Sequence, residues 1–506
     1  MTENHCFICN SSSCSLSCSG CGVEFCCAEH GALHTNTDTG SCHPYTVRYD
    51  DHVGRYVVAS RDIKQGEVIF GEREPLVVGP NHECPPLCLQ CLDPCDLSNV
   101  CPGCGYPMCS DQCCSDHQTT EECQLLSRAA APVFSDGSRS EAYHVILPLR
   151  LLITERQDPA KSRLAQLFMD HREDRLKSQY WPYCQEVIVP FIKNILPDTS
   201  EDDINRAIGI LEVNCYEVKN WISFGVRGFY PLASLLSHSC VANCKTVWQS
   251  EAPFGHRTIA VRDIKQGEEI LTSYLRSSMC SLTRRRAIRE GWYFDCKCRR
   301  CCDRTELGTH CNTLLCGDCG SGHVMPRDPL DYDTVWDCDK CEAQMRTEDA
   351  LEMVEKFNED IKQLYENDRY NTESWLKLLS QAKPRFHPQH MIMTEISKWL
   401  VPILCRGPSL GFSDFPPDLV ETKLLLASHY VQVMDVLEPG LSKFRAKFTF
   451  ELIDTKMFLF CEKFKMDQIA EISEINGIKI HIYKLMIQVM FQNLLRNWMI
   501  LSRFLR

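Results

Sequence analysis

Nowhere in these 506 residues does an apolar run reach the length a helix needs to cross a bilayer, so no membrane span is expected. The start, Met1-Thr2-Glu3-Asn4-His5-Cys6, is polar and lacks an apolar run, so no secretory leader is expected. Positive charge is also in short supply. Lys and Arg number 54 against 67 Asp and Glu, for a net charge of −13. The chain as a whole therefore lacks the basic face that displaces counterions, and direct nucleic-acid binding is not expected. No Ser/His/Asp or paired-carboxylate pattern is present, so nothing points to chemistry built on a charged base.

What the chain has in excess is cysteine, 34 of them. Without a leader, cysteines at Cys-x2-Cys spacing read as metal ligands, because disulfides need no such spacing. Residues 1–44 offer Cys6, Cys9, Cys18, Cys21, Cys26, His30, His34 and Cys42. Residues 84–123 repeat the layout with Cys88, Cys91, Cys101, Cys104, Cys109, Cys113, His117 and Cys123. Eight ligands make two tetrahedral sites in each block. A segment of about 40 residues cannot bury enough apolar surface to fold unaided, and each structural zinc can supply roughly 10–16 kcal/mol of apparent folding free energy. Cys316, Cys319, Cys338 and Cys341 have the spacing of a zinc ribbon. Cys296, Cys298 and Cys301 leave one more site a ligand short, with Cys240, Cys244 and Cys302 as candidates to complete it. About six zinc ions are expected, all four-coordinate and none with the open position of catalytic zinc. Cys14, Cys27, Cys84, Cys95 and Cys114 read as packing or surface thiols.

Between the cysteine blocks the pattern changes. Tyr56-Val57-Val58-Ala59 and Val68-Ile69-Phe70 read as strands about a turn at Lys64-Gln65-Gly66. Arg61-Asp62-Ile63-Lys64-Gln65-Gly66-Glu67 recurs as Arg262-Asp263-Ile264-Lys265-Gln266-Gly267-Glu268. Each copy reads as a hairpin turn whose glycine takes a positive φ, and the pair brackets one split β domain. Residues 124–225 read as mostly helical, with an acidic helix start at Thr199-Ser200-Glu201-Asp202. Beyond 346 the pattern is helical almost throughout, and short connections favour several antiparallel helices. Arg284-Arg285-Arg286 reads as a solvated helix face. Segment 477–506 holds Lys479, Lys484, Arg496, Arg503 and Arg506 and no acidic residue. It reads as a core-packing helix, with a basic surface for membrane or partner as the alternative.

Several motifs occur in order: Gly54-Arg55-Tyr56, Glu212-Val213-Asn214-Cys215-Tyr216, Leu235-Leu236-Ser237-His238-Ser239-Cys240 with Ala242-Asn243-Cys244, Glu269-Ile270-Leu271-Thr272-Ser273-Tyr274, and Phe294-Asp295-Cys296-Lys297-Cys298. Together they resemble the SMYD family of SET-domain lysine methyltransferases, in which a MYND zinc finger is inserted into the SET domain. Two MYND-like blocks make the chain most like the arthropod-type members. The resemblance implies an α+β multidomain fold: a split SET β-fold with an inserted MYND finger, extra zinc modules and a helical C-terminal domain. The divisions would be 1–44 MYND-like, 45–83 SET N-terminal part, 84–123 MYND, 124–225 helical insertion, 226–275 SET core, 276–303 post-SET zinc site, 304–345 zinc-ribbon-like and 346–506 helical.

Beside the resemblance, interleaved pairing is expected. Cys6, Cys9, Cys26 and His30 would share one ion, and Cys18, Cys21, His34 and Cys42 another. The resemblance also makes Cys240 the fourth ligand beside Cys296, Cys298 and Cys301. S-adenosylmethionine would be bound by Arg55, Asn214, Ser237, His238 and Phe294. Tyr274 would orient a substrate lysine in a channel walled by Trp292, Tyr293 and Phe294. Three positions depart from the family pattern: Ser237 for Asn, Trp292 for Tyr, and Arg55-Tyr56 where Gly-x-Gly is usual.

The implied function is a protein-lysine N-methyltransferase acting on a histone or other protein, in cytoplasm, nucleus or both, with a role in transcription. The alternative is a weak or inactive SET/MYND zinc adaptor whose fingers dock partner peptides in repression. A ubiquitin ligase is a third reading, since cross-braced zinc suits that class too.

Overall fold

In the computed structural model the two heptapeptide copies do not each close a hairpin, as their sequence suggests; they bind one another. Ile63 and Ile264 exchange both backbone hydrogen bonds at 2.9 Å. Around that pair the contacts occur twice. Gly66 N donates to Ala260 O and Gly267 N to Ala59 O, each at 2.8 Å. Asp263 accepts from Gln65 N at 2.9 Å and Lys64 Nζ at 3.1 Å. Asp62 accepts from Gln266 N at 3.0 Å and Lys265 Nζ at 2.9 Å. Both glycines take the expected positive φ, 83° and 81°, a region where only glycine is free of Cβ strain.

The strands flanking each copy consequently belong to different sheets. Gly54–Ala59 pairs with Tyr45–Asp50. Val68–Glu72 instead joins His256–Ala260 and Cys244–Trp248 in a three-stranded antiparallel sheet. A third sheet runs Val77–Pro80, Val226–Phe229, Cys215–Val218. Helices Ile146–Gln157 and Glu201–Asn214 pack with these strands. The second of them is capped by Ser200, whose side chain accepts from Asp203 N, and its first turn is acidic, as helix-end electrostatics favour.

The structure describes residues 6, 8, 9, 11, 14–20, 22–34, 42–50, 54–82, 84–130, 132, 141–218, 225–249, 252–405 and 415–471. The basic segment 477–506 and Cys21 lie outside them. The chain divides into two units, one of Met1–Thr272 with Ala287–Asp295 and one of Ser273–Arg286 with Cys296–Arg506. In the second unit a four-stranded antiparallel sheet, Leu314–Leu315, His323–Pro326, Trp336–Cys338 and Gln344–Met345, precedes the helices. Those are Thr347–Asn367, Thr372–Ala382, Met391–Ile403, Pro417–Leu437 and Lys443–Glu471, which pack in succession around Trp375, Ile396, Tyr430 and Phe448. None of the helices among the described residues is long and apolar enough to cross a membrane.

The arginine triplet departs from its sequence reading. Arg284 and Arg285 are 1% and 2% exposed, not solvated. Arg284 and Arg300 share the buried Glu306 carboxylate at 2.8 and 2.7 Å, and Arg285 donates to Pro329 O at 3.0 Å while lying 4.3 Å over the Tyr332 ring. A run of like charge reads as surface unless a distant acid neutralises it, and Glu306 is that acid. Burial works against its ionisation, but the charges of Arg284 and Arg300 win and hold its pKa below the ordinary value.

One carboxylate fixes the segment that leads into the Ser237-His238 motif. Glu72, on the edge of the three-stranded sheet, accepts from Leu232 N and Ala233 N at 3.0 Å each, and lies 3.1 Å from His256 Nε2. Replacing Glu72 by Ala orphans two backbone N–H groups and a buried imidazole, and is expected to cost about 3 kcal/mol. The check is the urea midpoint of the zinc-loaded protein, which Glu72→Gln should lower less.

Candidate active site and metal clusters

The Leu235–Cys240 motif is held from several sides. The turn before it, Ala233–Leu235, is pinned by Glu72 and by Tyr216, whose hydroxyl donates to Ala233 O at 2.7 Å. Ser234 Oγ donates to Asn214 O at 2.9 Å, which brings the end of helix Glu201–Asn214 to the motif. Ser237–His238 then pairs in parallel with Leu271–Thr272. Asn243, 1% exposed, stitches the two segments together. Its Oδ1 accepts from Leu271 N at 2.8 Å and its Nδ2 donates to Glu269 O at 2.7 Å.

These contacts bring the backbone of Asn214 to the segment that carries Ser237 and His238, and Phe294 stands beside His238, all within the first unit. His238 Nε2 lies 3.3 Å from Cys240 Sγ, and its ring centroid lies 6.2 Å from that of Phe294. Burial raises the Glu269 pKa, with the nearby Ser237 hydroxyl acting against it. Asn214 Nδ2 donates back to Ile210 O at 2.9 Å, and Arg55 is engaged farther away. Its guanidinium donates to Ile8 O at 3.4 Å and to Leu167 O, and sits 4.8 Å over the Phe168 ring. Burial lowers its pKa. The side chain thus ties the first cysteine block to the helical insertion, and only its backbone on strand Gly54–Ala59 is left to face a ligand. Tyr274 belongs to the second unit and Trp292 ends helix Ser281–Trp292 in the first; both are half-buried.

Next to Trp292, Tyr293 holds a left-handed backbone, φ 59°, uncommon for a bulky residue. Its hydroxyl donates to Glu212 Oε1, and Glu212 Oε2 accepts from the buried Arg175 Nε at 2.8 Å. Burial first, then the Glu212 carboxylate, raise the Tyr293 pKa, so the phenol stays protonated.

The cysteine arrays converge as clusters whose donor atoms all lie within 4.8 Å of one another. They are Cys6, Cys9, Cys26 and His30; Cys88, Cys91, Cys109 and Cys113; Cys101, Cys104, His117 and Cys123; and Cys316, Cys319, Cys338 and Cys341. A tetrahedron with metal–sulfur bonds of roughly 2.3 Å sets sulfurs about 3.8 Å apart. The sulfur pairs Cys9–Cys26, Cys91–Cys109, Cys101–Cys123 and Cys319–Cys338 stand 3.5, 3.5, 3.6 and 3.9 Å apart, far too long for disulfides. Backbone N–H groups complete the fit to thiolate. Gly322 N donates to Cys319 Sγ at 3.2 Å, and such donors from Ser321 and Gly322 pull the Cys319 pKa down to about 6. A Cβ on Gly322 would sit 2.3 Å from Cys338 Sγ, so only glycine fits beside that cluster. The donor sets and spacings therefore suit zinc. Of the other expected site, Cys18 and Cys42 stand 3.5 Å apart and His34 is buried, while Cys21 lies outside the described residues. Cys240 belongs to the first unit, and Cys296, Cys298 and Cys301 to the second, where Arg284 Nη2 donates to Cys301 Sγ at 3.6 Å.

Sequence reasoning assigned no role to Glu72, Arg175 or the Glu212 side chain. Arg175 lies in the charged run Arg172–Arg175, which resembles any solvated helix turn, and no local signal separates it from one. Glu212 stands inside a quoted motif, and the one available hint was an acid on an otherwise apolar helix face.

Comparison with known proteins gives a match to the SET domain over residues 54–275. SmydA-8 isoform A of Drosophila melanogaster is 28% identical over 314 residues, 59% of this chain and 65% of that protein. The histone-lysine N-methyltransferase SMYD3 of Homo sapiens is 30% identical over 194 residues, 37% of this chain and 41% of that protein. The chain thus spans less than two thirds of the length of either relative. A solved SET domain of LSMT bound to lysine and AdoHcy matches at 15% identity and a TM-score of 0.25, over 54% of this chain and 57% of that one.

Metal analysis checks the ligand assignment. Cys104→Ser is expected to lower the bound zinc by one ion per chain, and Cys84→Ser, whose thiol packs on Gly225, to leave it unchanged. Exhaustive chelation is expected to unfold the cysteine blocks, because metal binding supplies their folding free energy.

Proposed function

This chain belongs to the SMYD family of SET-domain proteins, and on that premise we propose that it transfers methyl groups from S-adenosylmethionine to lysine amines of a protein. The observation supporting the proposal is that Asn214 meets the segment carrying Ser237 and His238, all three inside the matched SET segment, while Phe294 from beyond that segment stands beside His238. The cofactor, when bound, supplies an electrophilic methyl on its sulfonium sulfur. Asn214 and the backbone of Ser237-His238 would hold its polar groups, and Phe294 would cover it.

The substrate amine must first lose a proton, which goes to solvent. With a free pKa near 10.4, this costs about 4–5 kcal/mol at neutral pH. Trp292 and Phe294, as channel walls, would lower that cost by desolvating the ammonium form. Tyr274 would orient the amine's lone pair for in-line attack, and holding two reactants in line supplies much of the remaining rate. Held so, the amine nitrogen would take the methyl that the bound cofactor supplies, the bond to sulfur breaking as the bond to nitrogen forms. The zinc clusters contribute shape and no chemistry.

The clusters in 1–44 and 84–123 are proposed as MYND-type fingers that dock partner peptides. A second reading, the weak or inactive adaptor, draws on one observation: the Arg55 guanidinium is spent on Ile8 and Leu167 carbonyls, and the Asn214 Nδ2 on Ile210 O at 2.9 Å. Two residues at cofactor positions then have their side chains engaged elsewhere.

Labelled S-adenosylmethionine with a panel of lysine-rich proteins separates the readings. Transfer is expected, falling by at least about 100-fold in Tyr274→Phe as orientation is lost. Cofactor binding without transfer to any substrate would favour the adaptor. The ligand count around Cys296, Cys298 and Cys301 is tested in the cobalt-substituted protein. Cys240→Ser is expected to perturb the thiolate-to-cobalt band of one site; an unaltered spectrum would make Cys244 or Cys302 the fourth ligand.

A further inference from the structure

We infer that Glu212, anchored by Arg175, is a positioning residue that clamps Tyr293 in its left-handed conformation and so holds Phe294 against His238. Its importance for catalysis rests on the methyltransferase reading; the clamp itself does not.

Two non-glycine residues with positive φ face each other here. His171 has φ 47°, Tyr293 has φ 59°, and their ring centroids are 5.7 Å apart. Bulky residues persist in that region only where the surroundings over-determine them, and such strain gathers at functional sites. The surroundings are specific. The helical turn Arg172–Arg175 that follows His171 delivers Arg175, 1% exposed, into helix Glu201–Asn214. There Arg175 Nη1 donates to Asn205 O at 2.9 Å, Nε donates to Glu212 Oε2 at 2.8 Å, and the guanidinium lies 5.4 Å from the Trp181 ring. Close approach depends on Gly209. A Cβ at that position would come within 2.4 Å of Asp170 O and 2.7 Å of Arg175 Nη1.

The carboxylate so fixed has one oxygen left, and Tyr293 donates its hydroxyl to it. A charge-assisted bond from the buried Arg175, itself tied to Asn205 O, restrains Glu212, since turning it away would leave a buried charge without its partner. Arg227 holds the backbone behind it, donating to Leu211 O and Glu212 O at 3.2 Å each. With the Tyr293 ring tied at its far end and its backbone at positive φ, the next residue is turned outward. Phe294 is 37% exposed, with its ring 6.2 Å from His238. Were Tyr293 to relax to negative φ, Phe294 would swing off the imidazole.

Tyr293→Phe keeps ring and volume and removes only the hydroxyl. Two readouts are taken on the zinc-loaded full chain: the 19F resonance of 4-fluorophenylalanine placed at position 294, and calorimetric binding of S-adenosylhomocysteine. The clamp predicts a shifted or broadened resonance and roughly tenfold weaker binding in Tyr293→Phe, with zinc content and far-ultraviolet dichroism unchanged. Glu212→Gln in the otherwise unsubstituted chain, which keeps an acceptor for the phenol, is expected to change both less than Tyr293→Phe does. An unmoved resonance in Tyr293→Phe overturns the clamp. A moved resonance with unaltered affinity overturns the positioning role. If the unsubstituted protein binds no S-adenosylhomocysteine, the methyltransferase reading falls, while the resonance still decides the clamp.

Discussion

The split β domain closes because two copies of one heptapeptide recognise each other. The bonded partners are 198 to 204 positions apart, with a cysteine-rich block and a mostly helical stretch between them. Loop-closure entropy grows only logarithmically, each doubling adding about 0.6 kcal/mol, so so large an insertion costs little once the ends are joined. What must be supplied is register. The exchange between Ile63 and Ile264 fixes it, and both isoleucines are fully buried. The flanking lysine–aspartate pairs are largely solvated and add little energy of their own. Their aspartates do more by accepting backbone N–H groups of the facing turn, which defines the pairing to a single residue. Everything at the candidate site stands on this closure, because Gly54–Ala59 comes from one side of the insertion and the Ser237-His238 motif from the other.

A second constraint is local. The cysteine blocks are too small to hold themselves together through apolar burial, and the ligand clusters replace a core. Cys88, Cys101 and Cys104 are nearly inaccessible, yet their neighbours Cys109 and Cys113 reach the surface. A metal-organised module can present a half-exposed face that an apolar core of that size could not tolerate.

Legibility in the sequence followed the range over which each device acts. Ligand clusters were readable because spacing within Cys-x2-Cys is set by one ion's geometry. The strands were readable from apolar, β-branched runs about a turn, and the helices of 124–225 from their apolar spacing. The SET motifs were readable because each is short and their order is fixed. The heptapeptide copies were correctly seen as turns and wrongly as hairpins, since a turn's own residues specify its φ values but not its partner. The Arg284-Arg285-Arg286 run was misread for the same reason: Glu306, the acid that buries it, lies 22 positions beyond Arg284 and carries no local mark. Likewise Tyr293 and Glu212, 81 positions apart, look like an ordinary aromatic and an ordinary helix acid until the fold joins them.

The Arg175–Glu212–Tyr293 chain also explains why a charged device stands where apolar packing would serve stability as well. A buried ion pair rarely adds net stability over a well-packed apolar substitute. What it adds is direction. Apolar side chains at those positions would fill the space but would leave the Tyr293 backbone free to fall to negative φ, the lower-energy state for any residue other than glycine. An acceptor restrained by a buried arginine, bonded to the far end of a long rigid ring, applies leverage on the main chain at the near end. The left-handed turn, the fixed carboxylate and the glycine that admits the arginine make sense as one device, and the part of the molecule they aim is the aromatic residue facing His238.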